Sequence, residues 1–359
     1  MKEKEMPFPL GKIDDFRVYL PPEDLDEKTA MLQVRQFNDA NRSFAEKFNC
    51  SGETPRISAS FVYAHPADYR GKPMLHADVS AWRTELQRLK DMHIDSVIFQ
   101  AALWRELNEC FYRSKSYSFM KQYPVAETLL EAAEQEKIRV YLGGYGSVAG
   151  WTEHFSEEEL KEEIAEHRRC FQELKDFPSV AGFYFPCETS YADRRLPEKE
   201  HRMHILYRNF SDMVKSCNPN LKIIISPATM HRPERNPEFI EFWNAILEDT
   251  QIDILMPQDC IGNCCSHLEE IPAQWQAWRK IADENKMKLW SHTELFERRS
   301  FYEPVNLYPA SPRRVAAQLA LTAPYAERHC CWEALHFASA DAGGEGVILQ
   351  KYLQSGKIT

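Results

Sequence analysis

The chain has 359 residues and a formal net charge of -10. The length suits one large core, since an eightfold barrel takes about 250 residues before insertions. The negative charge excludes a polyanionic partner, because nucleic-acid binding needs concentrated Lys and Arg to neutralise phosphates. No run approaches the roughly 18 apolar residues of a membrane span. The opening MKEKEMPFPLGKIDD has no apolar h-region, so no secretory signal is expected. The ten cysteines fall mostly inside apolar patterns (Cys170, Cys187, Cys217, Cys330, Cys331). Reduced thiols in a cytoplasmic protein, with neither a nucleic-acid nor a membrane partner, fit that usage.

In chain order, residues 1–56 are polar and irregular apart from one helical stretch, where Met31, Val34, Phe37 and Phe44 recur at near-helical spacing. They read as an N-terminal extension packed on a main domain spanning 57–359. From Ile57 eight short apolar runs follow: ISASFVY (57–63), SVIFQAAL (96–103), RVYLGGYG (139–146), VAGFYFPCE (180–188), KIIISPAT (222–229), IDILMPQD (252–259), KLWSHTELF (288–296) and CCWEALHF (330–337). Continuous rather than alternating apolar character is expected of parallel strands covered on both faces. Between the runs lie stripes of helical period: Trp82, Leu86 and Leu89; Leu160, Ile164, Phe171 and Leu174; Phe239, Phe242, Trp243 and Ile246; Trp275, Trp278 and Ile281. Ser156 with Glu159 forms a capping box opening the second of these helices. Eight such units predict a (β/α)8 TIM barrel. The competing open sheet lacks its dinucleotide signature, as no G-x-G-x-x-G follows the first run.

A TIM barrel carries its chemistry at the carboxyl ends of its strands. Those ends supply Gln100 and Trp104, Tyr145, Glu188 and Tyr191, Gln258 and Asp259, His292 and Glu294, and His336. Carboxylates, amides and aromatics together suit a saccharide, whose apolar faces stack on rings while its hydroxyls need fixed hydrogen-bond partners. Glu188 and Glu294 stand in corresponding places on the fourth and seventh strands. Their structural alternatives are salt bridges, Glu188 with Arg194 or Arg195 and Glu294 with Arg298 or Arg299. Strand alternation points His292 and Glu294 to the same side.

A glutamate ending strand 4 and another ending strand 7 resembles the large glycosidase clan built on TIM barrels. That resemblance implies Glu188 as acid/base and Glu294 as nucleophile. The clan usually has asparagine before the first glutamate, where this chain has Cys187. A closer resemblance, from about Ile57 to Tyr352, is to an uncharacterised bacterial family of unknown function made of glycosidase-like TIM barrels. It is carried by SVIFQ (96–100), GFYFPCE (182–188), ISP (225–227), DILMPQDCIG (253–262), LWSHTELF (289–296) and RRVAAQL (313–319). The clan resemblance implies a retaining hydrolase, and the lack of an export signal favours a small saccharide over a polymer; no cofactor and no metal are expected. In that mechanism the carboxyls lie roughly 5 to 5.5 Å apart, and the acid's pKa is held up by the nucleophile's charge and partial burial.

Two other readings stay open. Glu188, Asp259, His292 and Glu294 are also a donor set for Mg, Mn or Zn, as in a sugar isomerase or epimerase. Cys187 favours a non-catalytic carbohydrate-binding barrel. The loop CIGNCCSH (260–267) lacks the ligand spacing of structural zinc. Arg313 and Arg314 are as compatible with a salt bridge as with a site contact, and Cys331 and Trp332 read as barrel filling.

Overall fold

The computed structural model describes residues 26–48, 54–63, 78–151, 155–191, 196–300 and 307–358. Much of the expected N-terminal extension (1–25 and 49–53), and Arg194 and Arg195, lie outside the described residues.

Among the described residues, eight parallel strands close a barrel: β1 Ala59–Val62, β2 Ser96–Phe99, β3 Arg139–Gly143, β4 Val180–Tyr184, β5 Lys222–Ile225, β6 Ile254–Leu255, β7 Lys288–Glu294 and β8 Arg328–Trp332. Each strand pairs with its neighbours in sequence, and β8 closes on β1 through Ala59 opposite Cys330. The chain is therefore a TIM barrel. One alternation splits the core into two shells. Phe61, Ile98, Tyr141, Tyr184, Ile224, Met256 and Trp290 fill the barrel, while their neighbours Val62, Phe99, Leu142, Phe183, Ile225, Leu255 and Leu289 face the surrounding helices. Burial on both faces is why the strands read as unbroken apolar runs.

The helices expected from the stripes are α2 Val79–Asp91, α4 Glu157–Leu174, α6 Asn236–Leu247 and α7 Ile271–Glu284. The others are α1 Glu27–Lys47, α3 Val125–Glu136, α5 Pro197–Cys217, α8 Pro312–Thr322, the four-residue α9 Ala334–Phe337 and α10 Gly343–Ser355. The Ser156 hydroxyl accepts from the Glu159 N–H at 3.2 Å, and the Glu159 carboxylate accepts from the Ser156 N–H at 2.6 Å, completing the expected capping box. In α1 the buried face is Ala30, Val34, Asn38, Asn41 and Ala45 rather than the larger apolar residues. Its asparagines bind backbone of the rim loops. Asn38 Nδ2 donates to the Arg298 carbonyl at 2.7 Å, and Asn41 Oδ1 accepts from the Leu268 N–H at 2.8 Å.

Every strand ends before its apolar run does, and several of the runs go on into other structure. SVIFQAAL and RVYLGGYG each break, and their tails, Leu103–Trp104 and Tyr145–Gly146, join a small separate sheet above the barrel. The break needs Gly143, where a Cβ would stand 2.0 Å from the Gln100 carbonyl oxygen. CCWEALHF is a strand only to Trp332; Glu333 then starts α9.

Candidate active site

An isolated ladder of bridges, Ser190 to Ala228 to Gln258 to His292, carries the pairing of β4 to β7 past the strand ends and fixes the rim on that side. Glu188 lies inside this arc. The chain turns at Pro186, whose carbonyl accepts from the Glu188 N–H at 2.9 Å. Tyr184 Oη, inside the barrel, donates to Glu188 Oε1 at 2.5 Å. Gln258 Nε2 donates to Glu188 Oε2 at 2.9 Å and to the Ser226 carbonyl at the same distance. Burial pushes the Glu188 carboxyl up to about 7, against the two hydrogen bonds, which favour the anion. The expected contribution from the Glu294 charge is not among the causes; burial alone raises it.

His292 is buried and faces the barrel axis. Its Nδ1 shares a 2.8 Å hydrogen bond with Ser226 Oγ, and its ring stacks on Phe61 with centroids 4.7 Å apart. Burial holds its pKa down at about 3, so the ring is neutral. Its Nε2 has no hydrogen-bond partner among the described residues. Gln100 Oε1, at the end of β2, is likewise buried and unpartnered there. Trp332, in register with Glu294, leans on Phe61 and Tyr63 with centroids 5.2 and 5.8 Å away. It belongs to the inner shell at the mouth, not to a deep filling layer.

Glu294 ends β7 in a different setting. Its Oε2 accepts from the Asn263 N–H at 2.8 Å. Asp259 is fully buried beneath it. Oδ1 of Asp259 accepts from the N–H of Ile261 at 3.3 Å and of Glu294 at 3.4 Å, and Oδ2 accepts from Gln318 Nε2 at 2.6 Å. Arg314 Nη2 donates to the carbonyls of Glu294 and Phe296 at 2.9 and 2.5 Å. Burial first and then the Asp259 charge raise the Glu294 carboxyl; Asp259 is raised by burial against the pull of Arg314. The salt bridges anticipated for Glu294 are otherwise engaged: Arg298 donates to Asn263 Oδ1, and Arg299 pairs with Glu297 and Glu345.

Several expected binding residues are not at the mouth. Trp104 and Tyr145 are buried in the outer core, and Tyr145 packs edge-on against His167. Tyr191 is buried against Phe239 and Phe242 and donates to Glu238 Oε2 at 2.7 Å. Aromatic rings at strand ends can cover the helix layer as readily as a ligand, and here these three do. His336 sits on α9 paired with Glu333 rather than on a strand. Asp259 faces α8, so its place is beneath the site rather than against a substrate. Cys187 points outward into the helix layer next to Gly150, so its thiol does not occupy the mouth.

No group of three or more His, Cys, Asp or Glu able to hold a metal occurs among the described residues. The four donors considered for a cation diverge: Asp259 turns to α8 and His292 to Ser226. In the loop after β6, Cys265 Sγ donates to the Asn263 carbonyl at 3.6 Å and Cys264 Sγ lies 3.7 Å from Asn38 Oδ1. The nine described cysteines are free thiols.

Sequence reasoning missed Tyr184, Ser226, Phe61 and Gln318, and underrated Trp332 and Arg314. Tyr184 alone had a signal, standing four residues before Glu188 with an inward side-chain parity.

The model of DUF4434, a domain of unknown function, matches residues 74–342. The chain belongs to this family. No match is found among the curated proteins. Among solved structures, similarity extends to a Bacteroides thetaiotaomicron VPI-5482 protein with a provisional alpha-L-fucosidase assignment, at TM-score 0.68 and 19% identity over 84% of this chain and 93% of that one. A GH113 beta-1,4-mannanase aligns at TM-score 0.53 and 11% identity over 84% of this chain and 99% of that one. The hyperthermostable endo-1,4-beta-D-mannanase of Thermotoga petrophila RKU-1 aligns at 0.51 and 12% over 84% and 99%. At these identities the likeness establishes the barrel.

Proposed function

We propose that this DUF4434 chain is a retaining glycoside hydrolase acting on a small saccharide. Glu188 is the acid/base and Glu294 the nucleophile. The observation that carries the reading is Glu188: a buried glutamate on the turn four residues beyond the end of β4, with a pKa of about 7, half protonated near neutrality as a group that must give and then take a proton should be. Support comes from Glu294 at the corresponding end of β7 and from the glycosidases among barrels of similar shape. The Cys187 thiol lies outside the mouth, so the asparagine usual in the glycosidase clan has no counterpart at that position.

Glu294 attacks the anomeric carbon while the leaving oxygen takes the Glu188 proton. Water then adds its hydroxide to that carbon and its proton to Glu188, and Glu294 leaves as a carboxylate. Tyr184 and Gln258 aim Glu188, and the neutral His292 offers Nε2 to a substrate hydroxyl. Trp332 supplies a stacking face. Among the described residues no helix is long and apolar enough to cross a membrane.

A panel of aryl glycosides tests the reading. The protein should hydrolyse at least one with the anomeric configuration retained by proton NMR, and Glu188→Gln and Glu294→Gln should abolish that turnover. Inversion would reassign Glu294 as a base. Saccharide binding without turnover would leave a non-catalytic carbohydrate-binding barrel.

A further inference from the structure

We propose that Asp259 is a positioning residue for Glu294, fixing it at the rim together with Arg314 and Gln318 and holding one proton in common with it. The catalytic consequence rests on Glu294 as the nucleophile; the shared proton does not.

Asp259 has no route to a substrate. Both of its oxygens are occupied by protein donors, Gln318 on one side and two backbone N–H groups on the other. Arg314 is anchored through Nη2 to the carbonyls of Glu294 and Phe296. Its Nε and Nη1 have no hydrogen-bond partner among the described residues. The guanidinium thus locks the backbone that carries Glu294 and acts on both carboxyls through space. Gly262 completes the cage: a Cβ there would stand 3.1 Å from Glu294 Oε2 and 2.1 Å from the Phe296 carbonyl oxygen, so only a bare backbone lets Asn263 reach the carboxylate.

Charge counting then requires the proton. Two buried carboxyls face one buried guanidinium, and a water-poor pocket tolerates little net charge, so the cluster is neutral with one added proton. The other groups around it do not alter the count. Arg298 acts on Glu294 and Glu297 acts on Arg314, and their opposite charges cancel in the count. The thiols of Cys260, Cys264 and Cys265 are kept neutral by burial. Two carboxyls coupled this closely titrate as a pair. During attack the proton resides on Asp259, whose Oδ2–H donates to Gln318 once the amide turns its Oε1, unpartnered among the described residues, toward it. Glu294 bonds to carbon as an anion, the carbon–oxygen bond breaks, and the leaving oxygen takes the separate proton of Glu188.

The test is a carboxyl 13C NMR titration of the full-length protein labelled at Asp and Glu. In Asp259→Asn the Glu294 midpoint should fall by about one pH unit or more, and in Glu294→Gln the Asp259 midpoint should fall comparably, because coupling is reciprocal. The Glu188 midpoint should stay put in Asp259→Asn. If that variant does not fold, the Glu294→Gln arm decides. Unmoved midpoints in the variants that fold overturn the proposal. On any aryl glycoside the parent hydrolyses, Asp259→Asn should also shift the acid limb of kcat/KM downward. Absence of turnover in the parent would sink the hydrolase reading while the NMR midpoints still judge the shared proton.

Discussion

The two sides of the barrel mouth treat their glutamates differently. Glu188 is surrounded by neutral donors, Tyr184 and Gln258, and its proton affinity is set by burial working against two hydrogen bonds. Glu294 sits in a charged cage of Asp259, Arg314 and backbone N–H groups, where removing any one charge unbalances the rest. The lesson is that a half-protonated carboxyl can be obtained by dehydration alone, with no neighbouring charge, whereas a buried carboxyl beside another needs a cation to hold the pair.

The largest effect that would break the comparison is on turnover. Glu294→Gln should lower kcat by ~10⁴-fold or more, as loss of a nucleophile does. Glu188→Gln should cost about 10²- to 10⁴-fold, the usual worth of acid–base help. With activated aryl leaving groups the second loss should shrink and the first should not; equal losses on every leaving group would contradict the split roles.

Stability separates the two walls next. Arg314→Met strands two buried carboxyls, and urea unfolding should register a loss of about 3 to 5 kcal/mol. Loss below about 1 kcal/mol would show the cage to be solvated. Glu188 gives a smaller, pH-dependent term. Its folded pKa of about 7 lies above the ordinary 4.5, so the folded state binds more protons between those values. Stability therefore falls as pH rises through that window, and the full penalty is present above the folded value. Glu188→Gln should remove this slope, worth at most about 3 kcal/mol at alkaline pH. An unchanged slope in parallel urea titrations would show that Glu188 is hydrated. The smallest effect belongs to Tyr184→Phe. Without the phenol's hydrogen bond to the anion, the Glu188 midpoint should rise by less than about one unit, visible as an upward shift of the alkaline limb of kcat/KM.

The barrel was readable because its strands are unbroken apolar runs and its helices carry period, both local properties. Glu188, Gln258, His292 and Glu294 were readable too, since the fold fixes where strands end. The pairing of Glu294 with Asp259, 35 positions apart, was not, because it depends on α8 lying behind β7 and on Gln318 reaching Asp259 across 59 positions, contacts that no local pattern encodes. The aromatic residues failed for a related reason. Trp104, Tyr145 and Tyr191 have the chemistry of a sugar platform, and only packing assigns them to the helix layer. Trp332 is the converse, read as filling because it was placed early in a strand that in fact ends there.

The start of α8 carries one more implication. Ser311 Oγ accepts from the Arg314 N–H at 3.3 Å, and Pro312 follows as the first helical residue, so Arg314 occupies a phase dictated by where the helix begins. Each residue turns a helix by about 100°. One residue inserted between the Ser311 cap and Arg314 would turn Arg314 and Gln318 by that angle relative to the cap, and the buried Val315 and Leu319 with them. The punctuation of this helix is thus also the alignment mark for the charge beneath the site, and a graft that preserves every residue there but not the spacing would lose it.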